Sequence, residues 1–350
     1  VSFTVESNAS LAAEVDPDAR ELTLAGVTGT GSPAHPYVLP ANPWEFLLAA
    51  GRATAAIYSP LKELFDVSSH WAIARWFWAL DWSRTEVALS PAAAQIRNHH
   101  RTAFSEALGL AAGLLVTEHI AGDALPPGIW RGGPMLVDVD SLVSSGTRPD
   151  LLILFGDTTL DTYVLEAKGN SSGRGVSIEQ LRRGIDQVRA VTGNAKRLVV
   201  GVATPGVNVD VHAISVPSPP QRAANRLIAA AEEQALEMER RRLASFAGLT
   251  GPEWDGPSLP ISELGLEVMG RRLVLPGEKL GVAITVGVDR EIIRRLGEIG
   301  SISELAEMRS RVSGDGHRRT PSQDAPYSLA EMGRAAAVAL DGCAISISLL

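Results

Sequence analysis

A single cysteine, Cys343, stands in 350 residues. That excludes a disulfide framework and a cysteine-based zinc site, and it fits a reducing compartment. Lysine is almost as scarce: of 32 basic residues only Lys62, Lys168, Lys196 and Lys279 are lysines. Arginine has replaced it nearly everywhere. A lysine that persists therefore marks a position where a compact charge on a flexible stem does what a guanidinium cannot. Long apolar runs are missing too. The longest, "ALGLAAGLLV" at 107–116, falls well short of the ~20 residues that span a bilayer. The opening "VSFTVESNAS" lacks the basic and apolar regions of a signal peptide. A cytoplasmic protein with no membrane partner is expected, with a few residues preceding Val1. Excess positive charge is also lacking. The net charge is -8, so a nucleic-acid partner would have to be met by a local patch.

What is present is a folding composition. Hydrophobic residues make up 45% and charged residues 21% of the chain, which is ordinary for a globular protein and ample for a core. Three regions are expected: a mixed strand and helix region over 1–90, an α/β core over 91–220, and a C-terminal α/β region over 221–350. Residues 21–27 read as a strand and 43–83 as helical, with Trp71, Trp78 and Trp82 at helical spacing. Those tryptophans read as a packed face, with base stacking as the sharper alternative. Ser90 and Pro91 read as the start of a helix reaching residue 115. "LLVTEHI" (114–120) reads as a short strand. Beyond 135 strands dominate: 150–155, a return strand at 162–168, then a helix at 177–191 opened by a Ser177/Gln180 capping box. Strands at 197–204 and 209–216 follow. The C-terminal region reads as a long helix at 221–246, a strand at 281–288, a polar loop at 310–326, and a last helix over 326–340.

The chemistry concentrates in "TRPDLLILFGDTTLDTYVLEAKGN" (147–170). Side chains on a strand alternate between faces, so Glu166 and Lys168 project the same way. Asp150 opens the partner strand and can sit beside them across the hairpin. Two close carboxylates repel, and one takes up a proton unless a cation neutralises the pair. Mg²⁺ suits such a site, because it needs only one or two carboxylates together with waters and a substrate phosphate. The plainer alternative is a surface ion pair between Glu166 and Lys168 on an ordinary hairpin.

The Pro-Asp pair at 149–150, the hairpin and Glu166-Ala167-Lys168 resemble the PD-(D/E)XK nuclease superfamily. The likeness extends over roughly residues 92–216, where the element order is similar to the family's restriction-endonuclease-like αβββαβ core. The resemblance implies an α/β fold and Mg²⁺-dependent hydrolysis of phosphodiester bonds, with Mn²⁺ able to substitute. It implies Asp150, Glu166 and the Ala167 carbonyl as metal ligands and Lys168 as the residue that orients the attacking water. It also implies an acid on the first core helix, for which Glu106 is the first candidate and Glu118 the second, and a polar residue on the later helix, where Gln180 falls. The expected substrate is DNA, in bacterial defence or DNA processing, and a homodimer is an expected assembly.

Between 168 and 197 seven basic residues face only two acids. Arg174, Arg182 and Arg183 are the expected phosphate contacts, with a solvated helix face as the alternative. The adjacent His99 and His100 point apart on a helix and read as surface or phosphate-contact residues. "GNSSGRG" (169–175) is a glycine-rich turn between strand and helix. It matches neither a Walker A loop nor a dinucleotide fingerprint, so a nucleotide-binding enzyme is a weaker reading. A different class of protein, a non-catalytic nucleic-acid-binding or assembly module, also stays open.

Overall fold

The computed structural model describes residues 3–58, 73–125, 132–142, 148–156, 162–170, 175–191, 194–218, 226–249, 258–277, 281–312 and 328–350. It is a mixed α/β protein built on a six-stranded and a five-stranded sheet, with a small two-stranded ladder near the N terminus. Trp71, Arg174 and most of the 310–326 segment lie outside the described residues.

The N-terminal stretch supplies β1 (Phe3–Val5), α1 (Ala9–Val15), β2 (Arg20–Glu21), β3 (Tyr37–Leu39) and α2 (Pro43–Tyr58). Of the expected strand at 21–27 only Glu21 is in a strand, as the second residue of β2. Residues 73–77 are helical. Trp76 is buried against Phe104 and Trp82 stacks on Phe77. These two are therefore packing residues, while Trp78 is exposed.

The long helix α3 (Asn98–Ala124) corrects two expectations. It does not start at Ser90. Pro91–Gln95 forms a separate 3-10 turn, and the Ser90 hydroxyl donates to the Trp78 carbonyl instead of capping a helix. Nor does a strand occupy 114–120. Thr117 donates back to the Gly113 carbonyl at 2.7 Å, which satisfies a β-branched residue inside a helix. The helix ends where Leu125 turns extended, as the residue before Pro126 must.

The six-stranded sheet has the order β2-β8-β7-β6-β5-β4. Its strands are β4 (Pro134–Asp138), β5 (Leu151–Phe155), β6 (Thr162–Asn170), β7 (Lys196–Ala203) and β8 (Asp210–Val216), together with β2. All neighbours are antiparallel except β6 and β7. A parallel pair needs a crossover, and α4 (Ile178–Arg189) makes it. The Ser177 hydroxyl caps α4 by accepting from the Gln180 N–H, and Leu181, Ile185 and Val188 form its buried stripe. The Gln180 side chain does not complete the expected box. Its amide donates to the Gly169 carbonyl at 3.3 Å.

Helices α3 and α4 cover opposite faces of β6. Gly113 of α3 lies against Leu165, and Gly184 of α4 lies against Glu166 and Val199. A Cβ at either glycine would meet its neighbour's side chain at 2.6–2.8 Å, so both helices sit closer to the sheet than any other residue allows.

The C-terminal stretch adds α5 (Arg226–Phe246), β9 (Ser258–Ile261), β10 (Leu266–Leu275), β11 (Val282–Asp289), α6 (Arg290–Leu296), α7 (Ile302–Val312), α8 (Leu329–Met332), β12 (Arg334–Val338) and β13 (Cys343–Leu349). The expected last helix is a single turn. Ser328 and Glu331 close a capping box, and Gly333 at φ 69° turns the chain into β12, a conformation that suits glycine.

A buried ion network ties these parts together. Arg52 of α2 donates to Asp341, in the β12–β13 turn, at 2.8 Å and to Glu118 of α3 at 2.7 Å. Arg242 of α5 bridges Asp341 and Glu239, and Arg309 of α7 also reaches Glu239. Burial opposes ionisation of Asp341, but the Arg52, Arg242 and Arg309 charges outweigh it and hold its carboxyl below the usual range.

Candidate active site

The β5–β6 register pairs Leu151 with Leu165, which sets Asp150 opposite Glu166. Asp150 Oδ2 accepts the Ala167 backbone N–H at 2.8 Å. The motif halves, separated by fifteen residues, are thus joined where the start of β5 meets the middle of β6. Lys168 Nζ donates to Glu166 Oε1. Glu166 is fully buried, and its Oε2 has no hydrogen-bond partner.

Both carboxyls are pushed up. Burial is the main cause for Glu166, the Asp150 charge adds to it, and Lys168 offsets only part, leaving the group at about 8. Burial also dominates for Asp150. The Ala167 N–H and Lys168 partly counter it, Glu106 and Asp140 add repulsion, and the result is about 6. The Lys168 ammonium offsets only part of the burial cost of the two acids, and a further positive charge would favour their ionised forms.

Glu106 is close enough for its charge to act on Asp150. Its backbone reaches the site through Gly169. A Cβ there would lie 2.2 Å from the Ser105 carbonyl oxygen and 2.7 Å from the Glu106 nitrogen. The structure thus brings together Asp150, Glu166, Lys168 and the Glu106 turn. Gln180 joins from α4 through Gly169, one residue past Lys168. Glu118 does not belong to the group. It lies more than three turns along α3 and is paired with Arg52.

The basic patch is largely dissolved. Arg197 is fully buried and donates to the Val188, Val191 and Ala195 carbonyls. Arg189 pairs with Asp16, and Lys196 donates to the Tyr163 hydroxyl. Arg182 is exposed and donates through Nε and Nη2 to the Val15 and Glu14 carbonyls at 3.0 and 2.7 Å, so part of its donor capacity is spent on α1. Arg183 is exposed and carries a surface pair with Glu179. Beside it an open basin of about 610 Å³ is bounded by Asn170, Gly175, Ser177, Gln180 and Arg183. His100 is exposed on α3 next to Arg75.

Among the described residues no group of three or more His, Cys, Asp or Glu is arranged to hold a metal ion. The acid pair is the donor set on offer, and one or two carboxylates suffice for Mg²⁺. An orphaned, buried carboxylate oxygen beside a second acid fits that ion.

Sequence reading missed Asp140, whose charge acts on Asp150 and which pairs with Arg148. It also missed Gly113, Gly169 and Gly184, which let the helices close on β6. Only the three-dimensional approach of the helices marks these positions. Among the described residues no helix is long and apolar enough to cross a membrane. Comparison with protein-family models, curated proteins and solved structures found no match.

Proposed function

We propose that the protein is a metal-dependent phosphodiester hydrolase acting on nucleic acid, with DNA as the expected substrate, and that its α3-to-β8 segment is a restriction-endonuclease-like core. One observation carries the reading: buried Glu166, with a free Oε2, stands opposite Asp150 and next to one of four lysines in the chain. The order of helix, three antiparallel strands, crossover helix and parallel strand supports it. Bound there, Mg²⁺ would supply Lewis-acid stabilisation of charge on a phosphoryl oxygen.

The chain's own residues do the rest. Asp150 and Glu166 would hold the ion, with the Ala167 carbonyl as a further donor. Lys168, released from Glu166 Oε1 as that oxygen turns to the cation, would orient the attacking water and stabilise developing negative charge. Glu106, exposed at the rim, would receive the water's proton or bind a second hydrated cation. Gln180 fixes the Gly169 carbonyl and thereby the end of the strand that carries the motif.

A second reading is a non-catalytic nucleic-acid-binding or assembly module. The dispersal of the expected basic patch favours it, because nuclease grooves need phosphate contacts. Plasmid, linear and single-stranded DNA and RNA, incubated with Mg²⁺, Mn²⁺ or EDTA, separate the two. The hydrolase reading expects cutting that EDTA abolishes. Nucleic-acid binding without cutting under any condition would favour the module.

A further inference from the structure

About three turns along α3 from Glu106, a cavity of about 220 Å³ opens between α2, α3 and the β12–β13 turn. Its wall is mostly apolar, from Leu39, Leu48, Leu115, Val338 and Leu340. Leu115, Val338 and Leu340 are only half-buried, so the cavity is open to solvent. It is smaller than the roughly 300–1,000 Å³ of sites for drug-sized ligands.

The polar groups at the cavity are Glu45, Arg52, Glu118 and His119. Three of them already have partners. Arg52 and Glu118 bind each other, Arg52 also binds Asp341, and His119 contacts the Ala25 carbonyl and Asp123. Glu45 differs. Its Oε2 accepts the Asn42 N–H at 2.9 Å, closing a reciprocal cap at the start of α2, and no basic side chain pairs with it among the salt bridges of the described residues. Burial, with the Glu118 charge added and the Asn42 N–H opposing, pushes its carboxyl up to about 7. A carboxylate in an apolar wall without a counter-charge is costly, and a bound cation would relieve it.

We propose that this cavity, of about 220 Å³ or roughly seven water-sized units, binds a small amphipathic cation, a short apolar body carrying one ammonium group that pairs with Glu45. The apolar body lies against Leu48, Leu115 and Leu340. The ligand touches three separate parts of the chain, so its binding stabilises their association. This inference does not depend on the reading of the Asp150 site.

The test uses the whole chain and three probes of one length: n-hexylamine, 1-hexanol and hexanoate. Calorimetry and thermal unfolding should show saturable one-to-one binding of hexylamine and no binding of hexanoate. Glu45→Gln should weaken hexylamine by about tenfold or more, the scale of a charge-assisted contact. Gln also closes a capping box and removes the cost of the buried charge, so the unliganded variant should melt at or above the wild-type temperature. Leu115→Trp, which fills the cavity, should abolish binding. Equal binding of hexylamine and hexanol, binding unchanged in Glu45→Gln, or no binding up to roughly 10 mM would overturn the proposal.

Discussion

Asp150 Oδ2 and the Ala167 backbone N–H lie 2.8 Å apart, and this bond locks the two halves of the acidic motif into one site. The bond favours the ionised form of Asp150, but burial outweighs it and raises the carboxyl to about 6, beside Glu166 at about 8. Removing Asp150 therefore relieves Glu166, whose carboxyl its charge helps to raise, as well as deleting a metal donor.

For catalysis, Lys168→Ala should lower kcat by about 10²–10³-fold, the range seen when one charge-stabilising donor is lost. Metal affinity should be kept. Asp150→Ala and Glu166→Gln should lose both activity and affinity. Single-turnover cleavage and metal titration check the split. A Lys168→Ala variant that cuts at the wild-type rate would contradict its role.

Stability should depend on pH with an unusual sign. Both acids have folded pKa values above their unfolded ones, so the folded state binds more protons between about pH 4 and 8. Metal-free protein should lose stability as pH rises through that window, by on the order of a few kcal/mol. Glu166→Gln should flatten the loss, and Mg²⁺ should offset it above pH 7. Urea unfolding at pH 5.5 and 8.0, with and without Mg²⁺, measures this.

Gly169→Ala should perturb the site through α3. Its new Cβ would meet the Ser105 carbonyl oxygen at 2.2 Å, which is backbone and cannot swing aside. We expect a loss of about 1–3 kcal/mol and a fall in activity, since the Glu106 turn must move. Gly175→Ala has open space around it and should be close to neutral. Comparing the two variants by thermal melts and cleavage assays checks the contrast.

The buried network should be fragile to single cuts. Arg52→Met leaves Asp341 and Glu118 short of a cation and should cost about 3–5 kcal/mol. Asp341 contributes in the opposite pH sense to the active-site acids. Its folded pKa is depressed, so its stabilisation is present above about pH 4 and is lost as pH falls below that. An acid titration of wild type and Asp341→Asn should show a shallower acid limb in the variant.

Local chemistry was legible in the sequence. Strand alternation placed Glu166 and Lys168 on one side, and Ser177 marked the start of α4. The family resemblance implied Glu106, whose charge acts on Asp150, with Glu118 second; Glu118 lies more than three turns further along α3 and pairs with Arg52, 66 residues distant. The strand expected at 114–120 failed because Val116, Thr117 and Ile120 have strand propensity, but packing on β6 keeps α3 helical. Arg182 looked like a phosphate contact, and Arg197 added to the charge count, because counting charges cannot see the carbonyls that both side chains bind. The Arg52–Asp341 network spans 289 residues, beyond the reach of any local pattern.

The central claim is that Asp150 and Glu166 form a divalent-cation site. Calorimetric titration of Mn²⁺ at pH 7, in two buffers of different ionisation enthalpy, tests it most directly. The account predicts saturable binding with release of about one proton per ion, because the raised carboxyls must ionise to bind, and loss of both in Glu166→Gln. No binding, or binding unchanged in Glu166→Gln, would contradict it.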